Sequence, residues 1–435
     1  MPMPSWCDRA HGWSRVQRCS QRSSTPITAV RRHPGRRDGS ADTVVPGRWA
    51  LALGLFAVAY GTNVSTPLLL LYERELGLTP WTVTALFAVY PLGLAPALLY
   101  AGPASDVLGR RPVIVPGLVL SALASMVMIA GADSLTLLFV GRFLLGAVSG
   151  LVFVVASAWM QELGSADPMW AARLTGLVMY AGFGGGPLIS GALGEWGPSP
   201  LVTPYLVHLA LIGAALAVVW RVPESVRRVP GRRIRPNLGI PAESRSVFVK
   251  VVAPTAIGVF GFPSLAFGLF PVLLRPAMES IAIFVTGIIG LLAMGAIVPA
   301  QAWVGRVGPY RAAPTGMALG ALGCGIGLVA FATGYWWLLL VASVLMGVAS
   351  GLSMTSGLRF VDLITRPDDR GALTGAFYAV AYAAMTMPLL VSTAARAVGF
   401  SAVLAVLTAL GAALALSLSR SSRRAARAVG TAGLT

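Results

Sequence analysis

The stretch GPASDVLGRRPVI, residues 102–114, packs one Asp and two adjacent Arg into a short turn between two strongly apolar segments. Only 11% of the chain is charged, so such a cluster demands a physical reason. Gly102 and Gly109 permit a tight turn and close helix approach. Pro112 suits the first turn of the segment that follows. The carboxylate of Asp106 suits a helix N-terminus, whose partial positive charge favours an anion. Arg110 and Arg111 mark a loop held on one side of a barrier.

The rest of the chain supplies the barrier. It has 435 residues, of which 56% are hydrophobic, and a mean hydropathy of +0.75. Soluble domains run nearer half apolar and a quarter charged. The apolar residues fall in continuous runs of about twenty, the length of a helix that crosses a hydrocarbon core. Alternating runs, as in a membrane β-barrel, are missing. The net charge of +17 sits in loops and tails between these runs, as the positive-inside rule requires, so nucleic acid is not an expected partner. Cys7, Cys19 and Cys324 form no disulfide framework. No His/Cys spacing suits a metal, and no Gly-Lys-Ser/Thr phosphate loop occurs. No metal site, cofactor, catalytic residue or ATP-driven step is therefore expected.

Residues 1–47 are polar, Arg-rich and patternless, and are expected to be a disordered basic cytoplasmic arm. They lack the apolar core of a secretory signal. A translation start set too far upstream accounts for them equally well. Twelve spans are expected near 48–71, 81–101, 112–131, 135–158, 171–193, 204–222, 249–273, 281–303, 312–331, 336–357, 372–394 and 400–419. The expected fold is thus all-α and integral to the membrane. Residues 48–222 would be an N-terminal six-helix bundle and 249–419 a C-terminal one. Between them 223–248 would form a basic cytoplasmic linker, with Pro230, Pro236 and Pro241, and 420–435 a cytoplasmic tail. With the N-terminus inside, 29 of the 33 Lys and Arg face the cytoplasm. Arg74, Arg275 and Arg396 face outward, and Arg142 lies within a span. Both termini are therefore expected in the cytoplasm, with the protein in the inner or plasma membrane.

The two sets of six overlay at a shift of about 200 residues. Leu174-Thr175-Gly176 meets Leu373-Thr374-Gly375, Glu162 meets Asp362, and Pro187 meets Pro388. Gly146 and Gly150 meet Gly347 and Gly351, and Gly109 meets Gly308. Two related halves with a path between them are the expected organisation.

Three motifs share the resemblance that follows. The first is the loop with Gly102, Asp106, Gly109, Arg110 and Arg111. The second is GRFLLGAVSG in span four, where Arg142 is followed by Gly146 and Gly150 on the same helix face. A charge within a span is costly and is expected to face a partner or a cavity. The third is GFGGGPLISG in span five, with Gly182, Gly186, Pro187 and Gly191, whose composition permits a kink and tight helix packing. Together they resemble the major facilitator superfamily of membrane transporters, and the third resembles its twelve-span drug:proton antiporter branch. The match departs at Val107, Leu145, Val148, Arg173 and Ser190. The resemblance implies twelve helices in two pseudo-symmetric halves that rock about a central path. It implies that Asp106 latches onto the start of span eleven near Gly371 to Leu373. It further implies that Arg142 couples transport to protons and that the protein exports its substrate. The second copy of the loop, Gly305 to Arg311, has lost its Asp.

No acidic residue falls in the middle of any span, which disfavours a strongly cationic substrate. Tyr60, Asn63, Thr66, Tyr378 and Tyr382 are the candidates for lining a substrate cavity. His208 reads as a packing histidine. Proton-coupled efflux of small amphipathic compounds, drug-like or metabolite, is the leading function. A sugar or metabolite importer of the same superfamily is the alternative, and a membrane sensor without transport a remote one. Expected partners are a small-molecule substrate, protons and the lipid bilayer, with the protein a monomer.

Overall fold

The structure is a computed structural model that describes residues 41–164, 167–226, 239–242, 244–365 and 370–432. Residues 1–40 of the expected arm and 227–238 of the expected linker lie outside the described residues. Among the described residues the regular structure is entirely helical. The helices before the linker are α1 Ala41–Leu76, α2 Pro80–Leu108, α3 Arg111–Ala130, α4 Leu135–Leu163, α5 Pro168–Trp196 and α6 Thr203–Val219. After it come α7 Ala253–Gly268, α8 Phe270–Met278, α9 Ala282–Val307, α10 Pro309–Thr333 and α11 Leu338–Ile364. The last three are α12 Arg370–Ala383, α13 Met387–Val398 and α14 Phe400–Ala432.

Local chemistry sets the ends. Thr79, Ser134 and Asp167 accept hydrogen bonds from the backbone N–H three residues on, which fixes the starts of α2, α4 and α5. Glycine follows the last residue of α2, α3, α4, α5, α9, α10 and α13. Two bounds differ from expectation. α1 begins at Ala41, inside the stretch read as a disordered arm, and α14 continues to Ala432, through most of the stretch read as a tail. Apolar periodicity marks only the part of a helix that meets hydrocarbon, so polar extensions at either end leave no comparable signal.

Ten helical stretches among the described residues are long and apolar enough to cross a membrane, if Arg245–Val307 is taken as one. Those 63 residues would extend ~95 Å as one straight helix, three times a hydrocarbon core. The chain instead turns back at Glu279, where φ is +48°, so α9 packs beside α7 and α8. α6 is equally apolar but has only 17 residues.

Glycine brings backbones together twice in the same way. A Cβ at Gly146 or Gly150 on α4 would overlap the carbonyls of Tyr90 and Leu94 on α2. A Cβ at Gly347 or Gly351 on α11 would overlap those of Ala293 and Ile297 on α9. The tight turns match too: Gly109 has φ +101° and ψ 163°, Gly308 φ +77° and ψ 158°. The second loop keeps the backbone path of the first although its Asp is gone.

Three prolines inside helices release carbonyls, and each is recaptured by another helix. Proline has no N–H, so it leaves the carbonyl four residues earlier without its helical donor. Pro91 releases Phe87, which accepts from Arg142 Nη2 at 3.2 Å. Pro187 releases Phe183, which accepts from Asn63 Nδ2 at 3.4 Å. Pro263 releases Val259, which accepts from the Ser350 hydroxyl at 2.5 Å.

Gly146→Leu should lower stability by about 1–3 kcal/mol, because its side chain has no space beside the α2 backbone. Gly213, which has open space around it, serves as the control, and Gly213→Leu should stay within about 0.5 kcal/mol of the parent. Thermal melts of both variants in one detergent check the pair.

Candidate functional site

Helices from before and after the linker enclose a cavity of about 720 Å³. Asn63 of α1, Tyr90 of α2, Tyr180 of α5, Phe260 of α7, Gln301 of α9 and Tyr382 of α12 all line it. The wall is aromatic: Phe260 stacks on Tyr382 with centroids 4.7 Å apart, and Tyr382 on Tyr378 at 6.2 Å. Opposite, Tyr180, Phe183 and Phe153 meet edge to face. Four methionines, Met179, Met294, Met354 and Met385, add flexible, polarisable surface. The polar contributions are uncharged, from hydroxyls and from the amides of Asn63, Gln161 and Gln301. Gln301 Nε2 donates to the Tyr180 hydroxyl at 2.9 Å across the two sets of helices. No Asp, Glu, Lys, Arg or His is among the lining residues.

Of the five cavity candidates, Asn63, Tyr378 and Tyr382 line the cavity, whereas Tyr60 and Thr66 do not. Tyr60 is fully buried and stacks on His208 with centroids 6.3 Å apart, and Thr66 is buried on α1 as well. The α1 residues that line the cavity are Thr62 and Asn63, while Tyr60, on the flank beside them, turns to His208. His208 is a packing histidine, with Nδ1 2.6 Å from the Ser125 hydroxyl and Nε2 3.4 Å from that of Ser121. Tyr90, Tyr180, Gln301 and the methionines went unnoticed in the sequence. Gln301 had a usable signal, since a polar amide inside an apolar run is costly unless paired. Tyrosine and methionine are ordinary in such runs and carry none.

Arg142 is 1% exposed and faces the protein interior. Nε donates to the Leu86 carbonyl at 3.1 Å, Nη2 to that of Phe87, and Nη1 to the Ser65 hydroxyl at 2.8 Å. Its guanidinium also lies 5.5 Å from the Phe87 ring centroid and 5.4 Å from that of Tyr90. Among the described residues it pairs with no acid. It joins α1, α2 and α4 just behind the cavity wall at Tyr90.

The loop at 102–114 is tied within its own set of helices. Arg110 Nη1 pairs with Asp106 at 2.7 Å and Nη2 with Glu162 of α4 at 2.6 Å. Burial would lower the Arg110 pKa, but the Glu162 hydrogen bond and charge, then Asp106, outweigh it and hold the guanidinium above its ordinary value. Glu224, just past α6, accepts from the backbone N–H of Arg110 and of Arg111, each at 2.9 Å. The Arg111 guanidinium donates to the Val222 carbonyl. Asp106 therefore does not meet the start of α12, as the resemblance implied. Its carboxylate is taken up by Arg110 one turn away, and a Cβ at Gly371 would find nothing within 4 Å. The carboxylate that does cap a helix here is Glu224, on α3.

The span-five motif faces two ways. Gly182 and Gly186 bring α5 against the α1 backbone at Phe56 and Tyr60. Pro187 and Gly191 bring it against α9 at Gly287, Gly290 and Ile283. At the end of that crossing Glu195 Oε2 accepts from the N–H groups of Ile283 at 2.9 Å and Phe284 at 3.2 Å. The Trp196 ring packs on Phe284 at 4.7 Å. At the same end Trp81 Nε1 donates to Thr393 Oγ1 at 3.1 Å under the Arg396 guanidinium, and Arg275 Nε lies 3.7 Å from Glu73. These contacts close the cavity at the end remote from the linker.

A sequence profile described as Major Facilitator Superfamily matches residues 51–296. Over 76 residues the chain is 43% identical to "Multidrug resistance protein MdtL" of Escherichia coli O139:H28 (strain E24377A / ETEC), covering 18% of this chain and 19% of that protein. The protein of the same name from Shigella boydii serotype 18 (strain CDC 3083-94 / BS512) matches equally. The chain thus spans about a fifth of the length of these curated relatives. The crystal structure of the nucleoside transporter NupG superposes with a TM-score of 0.66 over 87% of this chain and 99% of that one, at 13% identity. A POT family transporter in complex with 5-aminolevulinic acid superposes with a TM-score of 0.67 over 88% and 99%, again at 13% identity. At that identity the likeness is one of fold alone.

Arg142→Met should cost about 1–3 kcal/mol, because it leaves buried carbonyls of α2 without a donor. Arg142→Lys, which cannot reach three acceptors in a fork, should recover only part of the loss. Denaturation of the purified variants checks both.

Proposed function

The chain belongs to the major facilitator superfamily, and on that premise we propose that it is a secondary transporter that exports small, uncharged or amphipathic compounds by proton antiport. In this reading twelve spans form two pseudo-symmetric halves, residues 48–222 and 249–419, joined by a cytoplasmic linker at 223–248. The repeated glycine contacts of α4 on α2 and α11 on α9 support that layout. The loop charges support cytoplasmic termini. The monomer is the working unit.

One observation carries the substrate class: the cavity between the two sets of helices is aromatic and Met-rich and is lined by no charged side chain. Stacking surfaces and adaptable thioethers accept varied apolar bodies, while Asn63, Gln161 and Gln301 offer hydrogen bonds to a polar end. The 76-residue segment 43% identical to a multidrug resistance protein and the antiporter-type motif on α5 favour export. An importer of uncharged metabolites would suit the same cavity, and the direction of movement separates the two.

Alternating access gives Glu195 a role. It sits on α5 and caps the N-terminus of α9, where a carboxylate meets the positive end of the helix dipole. This contact latches the outer end in the conformation described. The loop at 102–114 holds its own half together, and Asp106, paired with Arg110 in the conformation described, exchanges that partner for the start of α12 when the cytoplasmic end closes. Arg142 braces the cavity wall and transmits occupancy at Tyr90 to α1 and α4.

Proteoliposomes with an imposed pH gradient and a panel of neutral and amphipathic compounds test the reading. Gradient-driven movement against the direction of proton flow is expected. Tyr382→Ala should raise the apparent KM severalfold, by removing a stacking face worth about 0.5–1.5 kcal/mol. Movement with the protons would turn the assignment to import, and no movement of any compound would remove antiport. For the latch, spin labels at Ser199 and Ser280 report the outer opening. Glu195→Ala should shift population to longer distances, consistent with a lost cap of about 0.3–1 kcal/mol. An unchanged distribution would remove Glu195 from the gate.

A further inference from the structure

Glu73 holds the one carboxylate oxygen among the described residues that is buried and reached by no hydrogen-bond donor. It sits near the end of α1, just past the expected span 48–71, where the assembly is remote from the linker. The side chain is 12% exposed. α8, from the other set of helices, packs against α1 and lays Arg275 beside it. Arg275 Nε lies 3.7 Å from Glu73 Oε2, close enough for charge attraction and too far for a hydrogen bond. Other carboxylates that join helices are better served. Glu224 accepts from the N–H groups of Arg110 and Arg111, and Glu195 from those of Ile283 and Phe284. Glu162 accepts from the Arg110 guanidinium and the Ser225 hydroxyl.

A carboxylate taken out of water is repaid only by good ion-pair geometry and by hydrogen bonds to its remaining lone pairs. Oε2 of Glu73 has neither. Burial raises the Glu73 pKa above its ordinary value, and the Arg275 charge offsets only part of that. The other ionisable groups at this end have partners of their own. Tyr72 of α1 and Tyr205 of α6 bond to each other, and Arg74 pairs with Glu75 at the exposed end of α1. Glu195 of α5 is committed to α9, and Arg396 of α13 lies over the Trp81 ring of α2. Glu279, ahead of α9, is exposed. Closing this end over an ionised Glu73 therefore strands a charge, whereas closing it over a neutral carboxyl does not.

We infer that Glu73 is a proton-binding site that senses the water on the outer side: its carboxylate takes a proton from that water as the two sets of helices close over it, and returns the proton to the same water when they part. The inference rests on the alternating-access reading of the proposed function, and on neither cargo nor direction. The proton goes onto the carboxylate and leaves a neutral carboxyl, while Arg275, which is only half-buried, keeps its charge toward water. Acid outside thus favours the closed outer end. A pH rising above the ordinary carboxyl range favours opening, because Glu73 is then ionised and better placed in water. This proton is not carried across the membrane. It sets how readily the protein leaves the conformation described. Glu195 holds the same end shut by accepting hydrogen bonds, and Glu73 permits closure once it is neutral.

Spin labels on Ser199→Cys and Ser280→Cys read the outer opening across pH, in full-length protein held in nanodiscs with Cys7 and Cys19 replaced by Ser. The ratio of long to short distances should rise severalfold from about pH 4 to about pH 7. Glu73→Gln, which cannot ionise, should stay at short distances throughout. Arg275→Gln removes the partial compensation and should enlarge the rise. Glu75→Gln, an exposed neighbour, should leave the rise as it is. Infrared difference spectra of the parent give a second reading that needs no variant: the C=O band of a protonated carboxyl should fade over the pH range in which the distances lengthen. Opening in Glu73→Gln would make the pair with Arg275 a salt-bridge latch and overturn the proton site. A pH response that survives in Glu73→Gln would overturn it too, as would a carboxyl band that does not follow the distances. Distances that ignore pH in the parent, alongside gradient-driven movement of a compound in proteoliposomes, would remove the proton site and leave the transport reading standing.

Discussion

A carbonyl set free inside hydrocarbon must find a donor, and much of this structure follows from three such carbonyls. Water is absent at that depth, so each unsatisfied group costs several kcal/mol. Pro91, Pro187 and Pro263 each release one, and Arg142, Asn63 and Ser350 each recapture one from a neighbouring helix. These bonds pin α2 to α4, α5 to α1 and α7 to α11. Pro263, Asn63 and Ser350 line the central cavity, and Arg142 stands behind its wall at Tyr90. The freed carbonyls beside the cavity are thus satisfied by side chains that frame or back it. Arg142 shows the economy most clearly: its charge is accommodated by two carbonyls, a hydroxyl and two aromatic faces, without any acid.

Matching glycine contacts recur in the two sets of helices, and the charged groups beside them differ. The glycine contacts of α4 on α2 and α11 on α9 leave no room for a side chain, and the turns at Gly109 and Gly308 both have a positive φ that favours glycine. The charged groups around those turns are not kept. In the first copy Glu162 and Asp106 hold the Arg110 guanidinium, Glu224 accepts from the backbone N–H groups of Arg110 and Arg111, and the Arg111 guanidinium donates to the Val222 carbonyl. In the second copy Asp362 pairs with Arg370 at 2.7 Å, while Arg311 forms no ion pair among the described residues. At the opposite end a different carboxylate, Glu195, performs across the α5–α9 interface the helix-capping role that the sequence suggested for Asp106 near α12.

The membrane class, the apolar helices and the family were legible in the sequence, because they rest on run length, on charge placement and on glycines at fixed spacing. These are local properties, set by hydrocarbon thickness and by helix geometry. The stretch at 102–114 was legible as a tied turn for the same reason. Arg142 was legible as an interior group because a charge within an apolar run has few other places to go. Partners were not legible. Which carboxylate meets which helix end depends on the crossing of helices far apart in the chain: Asp106 pairs with Arg110, while Glu224 caps α3 and Glu195 caps α9. Cavity lining was half legible: Asn63, Tyr378 and Tyr382 are polar or amphipathic groups in apolar runs, as are Tyr60 and Thr66. Only the rotation of α1 against α5 and α6 decides that Asn63 faces the cavity while Tyr60 faces His208.

The sequence by itself determined that this chain crosses a membrane many times and where its charged turns lie. Each follows from a run, a spacing or a count. The tertiary structure alone decided that α5 serves α1 with Gly182 and Gly186 and α9 with Pro187 and Gly191, that no charged side chain lines the cavity among the described residues, and that His208 packs against Tyr60, Ser121 and Ser125. Those are facts of helix rotation and crossing. In lipid these are set by which released carbonyl, buried charge or small residue must be matched across the interface, and such matches join positions up to two hundred residues apart.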